Sequence, residues 1–237
     1  MKRTRIFALM AMVMACVGVA KAEDKIEGTV GADVVTRYIW RGQELGDAAV
    51  QPTAGLAYKG LSLTAWGSFG FINKDDTKEF DLTLEYATDG FSVGVTDYYF
   101  SMRGAENKYL DYRAHSTQHV WEAYVGYDFG VAAVKWFTNF AGADGVNKSG
   151  KRAYSSYAEV SAPFKLAKCD WTATVGIVPY YTSFYADVNG FAVTNVALRC
   201  TKELPLCKKF ALPVFGEVSC NPSTQKAYLV AGFTIGL

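Results

Sequence analysis

Val30-Gly31-Ala32-Asp33-Val34-Val35-Thr36-Arg37-Tyr38-Ile39-Trp40-Arg41 is the stretch on which the fold turns. Its even-numbered positions are mostly apolar or aromatic, and Asp33, Arg37 and Arg41 stand between them. Side chains alternate across a strand, so one face suits hydrocarbon and the other suits water. Segments of this kind recur almost to Leu237. Each is weak alone, but about twelve in series are the pattern of a transmembrane β-barrel.

The expected strands are 28–41, 50–58, 61–72, 78–88, 90–101, 118–128, 130–140, 153–166, 168–182, 190–201, 207–219 and 225–237. An even count keeps both termini on one side of the membrane. Ten strands remain open as an alternative, because segment 50–58 is short and holds Pro52. Phe80, Leu82, Leu84 and Tyr86 face one way, with Asp81, Thr83 and Glu85 opposite. The alternation falters at Val95-Thr96-Asp97-Tyr98-Tyr99, where Asp97 lands on the lipid side unless a bulge shifts the register.

Connection lengths support the same reading. Every second one is short: Lys59-Gly60, Asp89-Gly90, Asp128-Phe129-Gly130 and Ala167-Lys168. The others are longer, notably 102–117 and 141–152. Outer-membrane barrels sort their loops in this way, with short turns inside and long loops outside. A soluble sandwich has no reason to do so.

The start of the chain reads as a secretory leader. Lys2, Arg3 and Arg5 precede the apolar run Ile6 to Ala20, and Ala20-Lys21-Ala22 is a small-x-small cleavage site. The expected division is a signal peptide over 1–22 and one barrel domain over 23–237. The apolar run is short for a spanning helix, which needs about 20 residues. Lipoprotein processing at Cys16 is the rival, though the apolar run continues past it. A net charge of +1 argues for neither nucleic acid nor an acidic partner. The partners expected are the bilayer and small polar solutes, with oligomeric state open and no cofactor.

Thr36-Arg37-Tyr38-Ile39-Trp40-Arg41-Gly42 resembles the opening strand and exit of the TorF-like porin family. Pro52, Ala65-Trp66-Gly67-Ser68, Glu79-Phe80-Asp81 and Glu122-Ala123-Tyr124-Val125-Gly126-Tyr127 follow in the order that family shows. The resemblance implies an outer-membrane barrel with porin-like character. These motifs are barrel signatures, not catalytic ones.

The water-facing rows supply the candidate site residues: Asp33, Arg37, Arg41, Glu79, Asp81, Glu85, Glu122, Lys135, Glu159, Asp170, Arg199 and Glu217. Acidic members outnumber basic ones eight to four, so a lumen they line prefers cations. The bland alternative is an interior filled by ion pairs, with Arg37 and Arg41 neutralised by nearby glutamates. About eight strands enclose a filled interior and 16–18 an open channel, so twelve leaves pore and plug both open. The two functional readings are therefore a passive channel for small polar solutes and a closed structural or surface-interaction barrel.

Other chemistry is thinly supported. His115 and His119 are spaced as helical metal ligands, but no HExxH glutamate accompanies them and they read as solvated loop residues. Ser116 beside His119, or Ser155 and Ser156, lacks the GxSxG context of a hydrolase. No catalytic or metal residue is assigned. Tyr38, Trp40, Trp136, Phe137, Phe140, Tyr180, Tyr181, Phe184 and Tyr185 read as interfacial belts, with a sugar-stacking path as the alternative and inward-facing Trp66 its probe. The polar loops are either receptor surfaces or solvated connections. Of Cys169, Cys200, Cys207 and Cys220, Cys200 and Cys207 flank a short connection and could meet, so at most one intramolecular bridge, near the Cys200 end, is expected.

Overall fold

The computed structural model describes residues 25–73, 75–101, 106–114, 116–185, 188–207 and 210–236. The expected leader and His115 lie outside the described residues. Strands β1 (Glu27–Val35), β2 (Tyr38–Trp40), β3 (Gln43–Gly46), β4 (Ala49–Tyr58), β5 (Leu61–Gly70), β6 (Lys78–Thr88) and β7 (Phe91–Ser101) form the first half. β8 (His119–Asp128), β9 (Ala133–Gly142), β10 (Ser156–Leu166), β11 (Cys169–Val178), β12 (Ala192–Cys207), β13 (Phe210–Asn221) and β14 (Lys226–Gly236) form the second.

Twelve of these close into an antiparallel barrel, sealed where β1 pairs with β14 from Gly31↔Gly236 to Val35↔Gly232. Closure leaves no unpaired edge, as hydrocarbon requires of any sheet that crosses it. The outer wall carries Leu63, Leu84, Val93, Val125, Val160, Val175, Leu198, Val218 and Leu229, all exposed. Opposite rows face inward, where Thr83 and Thr96 hydroxyls meet at 3.0 Å. An apolar exterior around a polar interior makes this a membrane-spanning barrel.

Turns gather at one end and longer connections at the other. Lys59-Gly60 and Asp89-Gly90 have both central residues at positive φ, from 46° to 85°. That conformation matches the twist of the strands it joins.

Three expectations need correction. The segment 28–41 is not one strand, because β1 ends at Val35. Thr36 still exchanges backbone and hydroxyl hydrogen bonds with Ala231 at 2.9 Å. Beyond it the chain folds into the barrel as the β2–β3 hairpin, reversed at Arg41 and Gly42 with φ of 51° and 76°. Tyr38 and Trp40 are thus buried inside rather than set in a membrane belt. The connection expected between Cys200 and Cys207 is also strand, since Lys202 pairs with Val214 and Glu203 with Pro213. Seven residues of one strand separate those cysteines by roughly 23 Å, far beyond the ~7 Å that a disulfide spans between Cα atoms. They cannot bridge.

Asp97 does sit in the outward row of β7, opposite Leu82 and Trp121, and the pairing there runs without a register shift. It is covered instead by residues 106–114, which fold down over the outer wall and bury both Asp97 and His119. His119 is therefore no solvated loop residue.

Candidate functional site

The interior divides into a roof and a cavity. Residues 36–48, between β1 and β4, supply most of the roof by folding the hairpin into the loop end of the barrel. Tyr38 and Trp40 pack there with Tyr98, Val120, Tyr157, Val178, Tyr185 and Val188, all buried. Trp40 stacks on Tyr185 at 6.0 Å and meets Tyr98 edge-on at 5.8 Å. Tyr185 and Val188 come from the connection between β11 and β12, so two connections share the closure.

Polar bonds fix the hairpin to the wall. Arg41 Nη1 and Nη2 donate to the two carboxylate oxygens of Glu122 at 2.6 and 2.9 Å. Nη1 also donates to the Tyr185 hydroxyl at 2.7 Å, and the Tyr98 hydroxyl donates to Glu122 at 2.8 Å. The Arg41 guanidinium lies 4.1 Å from the Phe137 ring centre, 4.5 Å from Trp40 and 4.6 Å from Tyr157. Burial pushes the Tyr185 phenol up, against the pull of Arg41. Elsewhere Tyr38 donates to Glu79 at 2.8 Å, and Asn221 Nδ2 donates to the Gly42 carbonyl at 3.0 Å.

Glu122 owes its aim to a bulge. Trp121 pairs with Ala141 and Glu122 with Asn139, so Phe140 is the extra residue on β9. Glu122 and Asn139 are both fully buried at this point. A bulge is a common device for re-aiming a side chain.

Below the roof lies a cavity of about 440 Å³. It reaches from Tyr58, Lys59 and Gly60 at the turn end to Trp40, Arg41 and Gly42 on the underside of the hairpin. One wall carries Asp33, Arg199 and Glu217, where Arg199 stacks 3.7 Å over Phe215 and lies 3.7 Å from Glu217. The Thr234 hydroxyl donates to Asp33 at 2.6 Å. The facing wall carries Asp81, Glu85, Lys135 and Glu159, with Glu85 accepting from Tyr124 at 2.7 Å. Asp81 Oδ1 and Arg199 Nε are buried there without a hydrogen-bond partner.

No family model matches the chain, and no curated protein matches it. The likeness of its opening strand to the TorF-like porins therefore rests on the residues quoted above. Among solved structures the chain is similar to an outer membrane channel from Pseudomonas putida F1. That likeness has 12% identity and a TM-score of 0.41, and covers 94% of this chain and 97% of the other. It is also similar to Salmonella typhi OmpF in complex with daunomycin, at 11% identity and a TM-score of 0.36, covering 90% and 97%. What this barrel does is read from its own residues.

Nine of the twelve candidate residues border the cavity: Asp33, Arg37 and Arg41, then Asp81, Glu85 and Lys135, then Glu159, Arg199 and Glu217. Glu79 and Glu122 sit higher, tied to the hairpin through Tyr38 and Arg41. Asp170 departs from the set. It lies next to the Ala167-Lys168 turn, exposed and paired with Lys165, because β11 has only just begun there. Arg37 pairs with Glu44 at 2.8 Å across the hairpin. Trp66 borders the cavity and packs on Tyr38 at 5.6 Å.

The hydrolase pairing does not form. Ser116 donates to Asp111, Ser155 meets Thr182, and both His119 nitrogens are engaged elsewhere. Tyr185, expected in an interfacial belt, is instead buried in the roof, and Val188 and Asn221 take part there although the sequence reading did not name them. Nothing local marks them, because each acquires its role from a connection folding inward.

Proposed function

We propose that this chain is an outer-membrane channel for small polar solutes, exported by its leader and closed in this conformation by the hairpin of residues 36–48. The observation that carries the reading is the origin of the filling. Wall side chains do not fill this barrel across its length; the hairpin and the β11–β12 connection pack with wall residues at the loop end only, and below them a charged cavity extends to the turn end. A loop plug can leave without unpairing a strand, so the closure is separable from the fold. Glu27, Asp33, Asp81, Glu85, Glu159 and Glu217 outnumber Lys25, Lys59, Lys135 and Arg199 around the cavity and so favour cations there, since Glu122 neutralises Arg41 and Glu44 pairs with Arg37. Transport of this kind needs neither cofactor nor covalent chemistry.

Single-channel recording of refolded residues 23–237 in a planar bilayer under a salt gradient tests this, beside a variant with 37–47 replaced by a short glycine-serine link. Discrete steps with cation-favouring reversal, rare in the parent and frequent in the variant, are expected. A silent variant that still shows the heat-dependent gel mobility of a folded barrel would overturn the channel reading. The eight buried residues of the roof favour the second reading, a permanently closed barrel, and that outcome would establish it.

A further inference from the structure

The surroundings of Arg41 have the build of a ligand site. Glu122 on β8, Phe137 on β9, Tyr157 on β10 and Tyr98 on β7 all belong to the wall and stay when the hairpin goes. They present one fully buried carboxylate, held by a tyrosine hydroxyl, between two aromatic rings about 4–5 Å from the bound cation. The hairpin contributes only the cation and the Trp40 ring. A planar fork meets both carboxylate oxygens at once, which a guanidinium does and an ammonium cannot.

We infer that Glu122, Phe137, Tyr157 and Tyr98 form a binding site for guanidinium-bearing solutes, and that Arg41 occupies it as an internal mimic of the ligand. The inference rests on the gated-channel reading and names the solute class that reading leaves open. Arg41, Tyr98 and Phe137 border the cavity with Glu122 and Tyr157 buried behind them, so a solute entering from the turn end meets the Arg41 guanidinium first and reaches Glu122 by displacing it. Competition for Glu122 then couples the solute to the plug: a bound guanidinium removes the ion pair that seats the hairpin. A carboxylate this buried is costly without a partner, which favours the exchange of one cation for another over leaving the site empty.

The test is chemical rescue. Arg41→Ala and the more conservative Arg41→Gln are recorded with and without methylguanidinium, each beside its Glu122→Gln double variant. The single variants are expected to conduct. Methylguanidinium on the turn-end side should then block them at concentrations roughly tenfold lower than methylammonium does, and Glu122→Gln should abolish that preference. The same pairing is read by melting temperature in detergent, which needs no open channel: methylguanidinium raises that of Arg41→Gln and leaves the double variant unmoved. Conducting variants on which the two cations act alike would overturn the site and leave the channel standing. Silent variants would overturn the gate, and the melting shift alone would then decide the site.

Discussion

His119 Nδ1 lies 2.7 Å from Asp97 Oδ1, and its Nε2 lies 2.6 Å from the Tyr109 carbonyl oxygen. A carbonyl only accepts, so Nε2 carries a proton, and a second proton sits between Nδ1 and the carboxyl group. Tyr112 stacks over the imidazole at 4.2 Å and its hydroxyl donates to Asp97, with burial and then Asp97 pushing that phenol up to about 12. One ionisable pair on the outer wall thus pins the connection between β7 and β8.

The two partners are not equivalent to mutation. His119→Leu takes its ring partner from a buried carboxyl group, which keeps only the long Tyr112 hydrogen bond, and should cost about 3 kcal/mol. Asp97→Asn keeps a donor for Nδ1 and should cost only about 1 kcal/mol. The double change Asp97→Leu/His119→Leu should recover much of the loss from His119→Leu. Urea unfolding in lipid vesicles ranks the three. Equal losses from both single variants would show that the pair does not hold the loop.

A second prediction concerns the thiols. All four cysteines of the described residues are free. Cys200 faces Trp171 in the ladder, with Cys169 on its diagonal on the same face of the sheet, and the Cys169 thiol donates to the Ala167 carbonyl. Mild oxidation of the folded barrel should give a Cys169–Cys200 peptide on mass spectrometry and no Cys200–Cys207 peptide. Recovery of the latter would mean that β12 does not run unbroken to Cys207.

The alternation and the sorted connections made most of the barrel wall readable from the residues alone, because burial against lipid imposes period two and loop length follows the side of the membrane. The same regularity hid the plug. Tyr38 and Trp40 continue the apolar row of β1, and period two cannot tell a ring facing lipid from a ring facing the lumen. What turns the chain inward is a reversal at Arg41-Gly42, and an arginine at positive φ leaves no mark in sequence. Gly42 was the one available hint. Residues 202–206 misled for another reason: Pro205 suggests a connection, yet proline is accepted near the bulge at the end of β12. The partner of Asp97 was out of reach, since only the ladder and the covering loop bring His119 to it.

A third prediction follows from the β10–β11 turn. Ala167 and Lys168 both hold left-handed backbone, at φ of 53° and 62°, where the other two-residue turns place glycine second. An ordinary residue pays roughly 1–2 kcal/mol for that conformation, and glycine avoids it. Lys168→Gly should therefore stabilise the barrel by about 1 kcal/mol in urea unfolding, once glycine's extra chain entropy is set against the relief. A loss of stability would show that the Lys168 side chain contributes more than its backbone strain costs.

The hairpin tip offers the sharpest separation of plug from barrel. Gly42 is left-handed, and a Cβ there would collide with the Thr194 carbonyl on β12. That oxygen belongs to a barrel strand, so it cannot retreat without loosening the wall. Gly42→Ala should consequently unseat the hairpin while touching nothing in the twelve-stranded ladder. Backbone strain alone contributes about 1–2 kcal/mol against the seated state, enough to raise the unseated fraction roughly fivefold to thirtyfold. Refolding yield and gel mobility should match the parent, while open probability in a planar bilayer rises and approaches that of Arg41→Ala. Unchanged closure in a folded Gly42→Ala barrel would show that the tip does not hold the plug, and that the Arg41–Glu122 pair and the aromatic roof suffice alone.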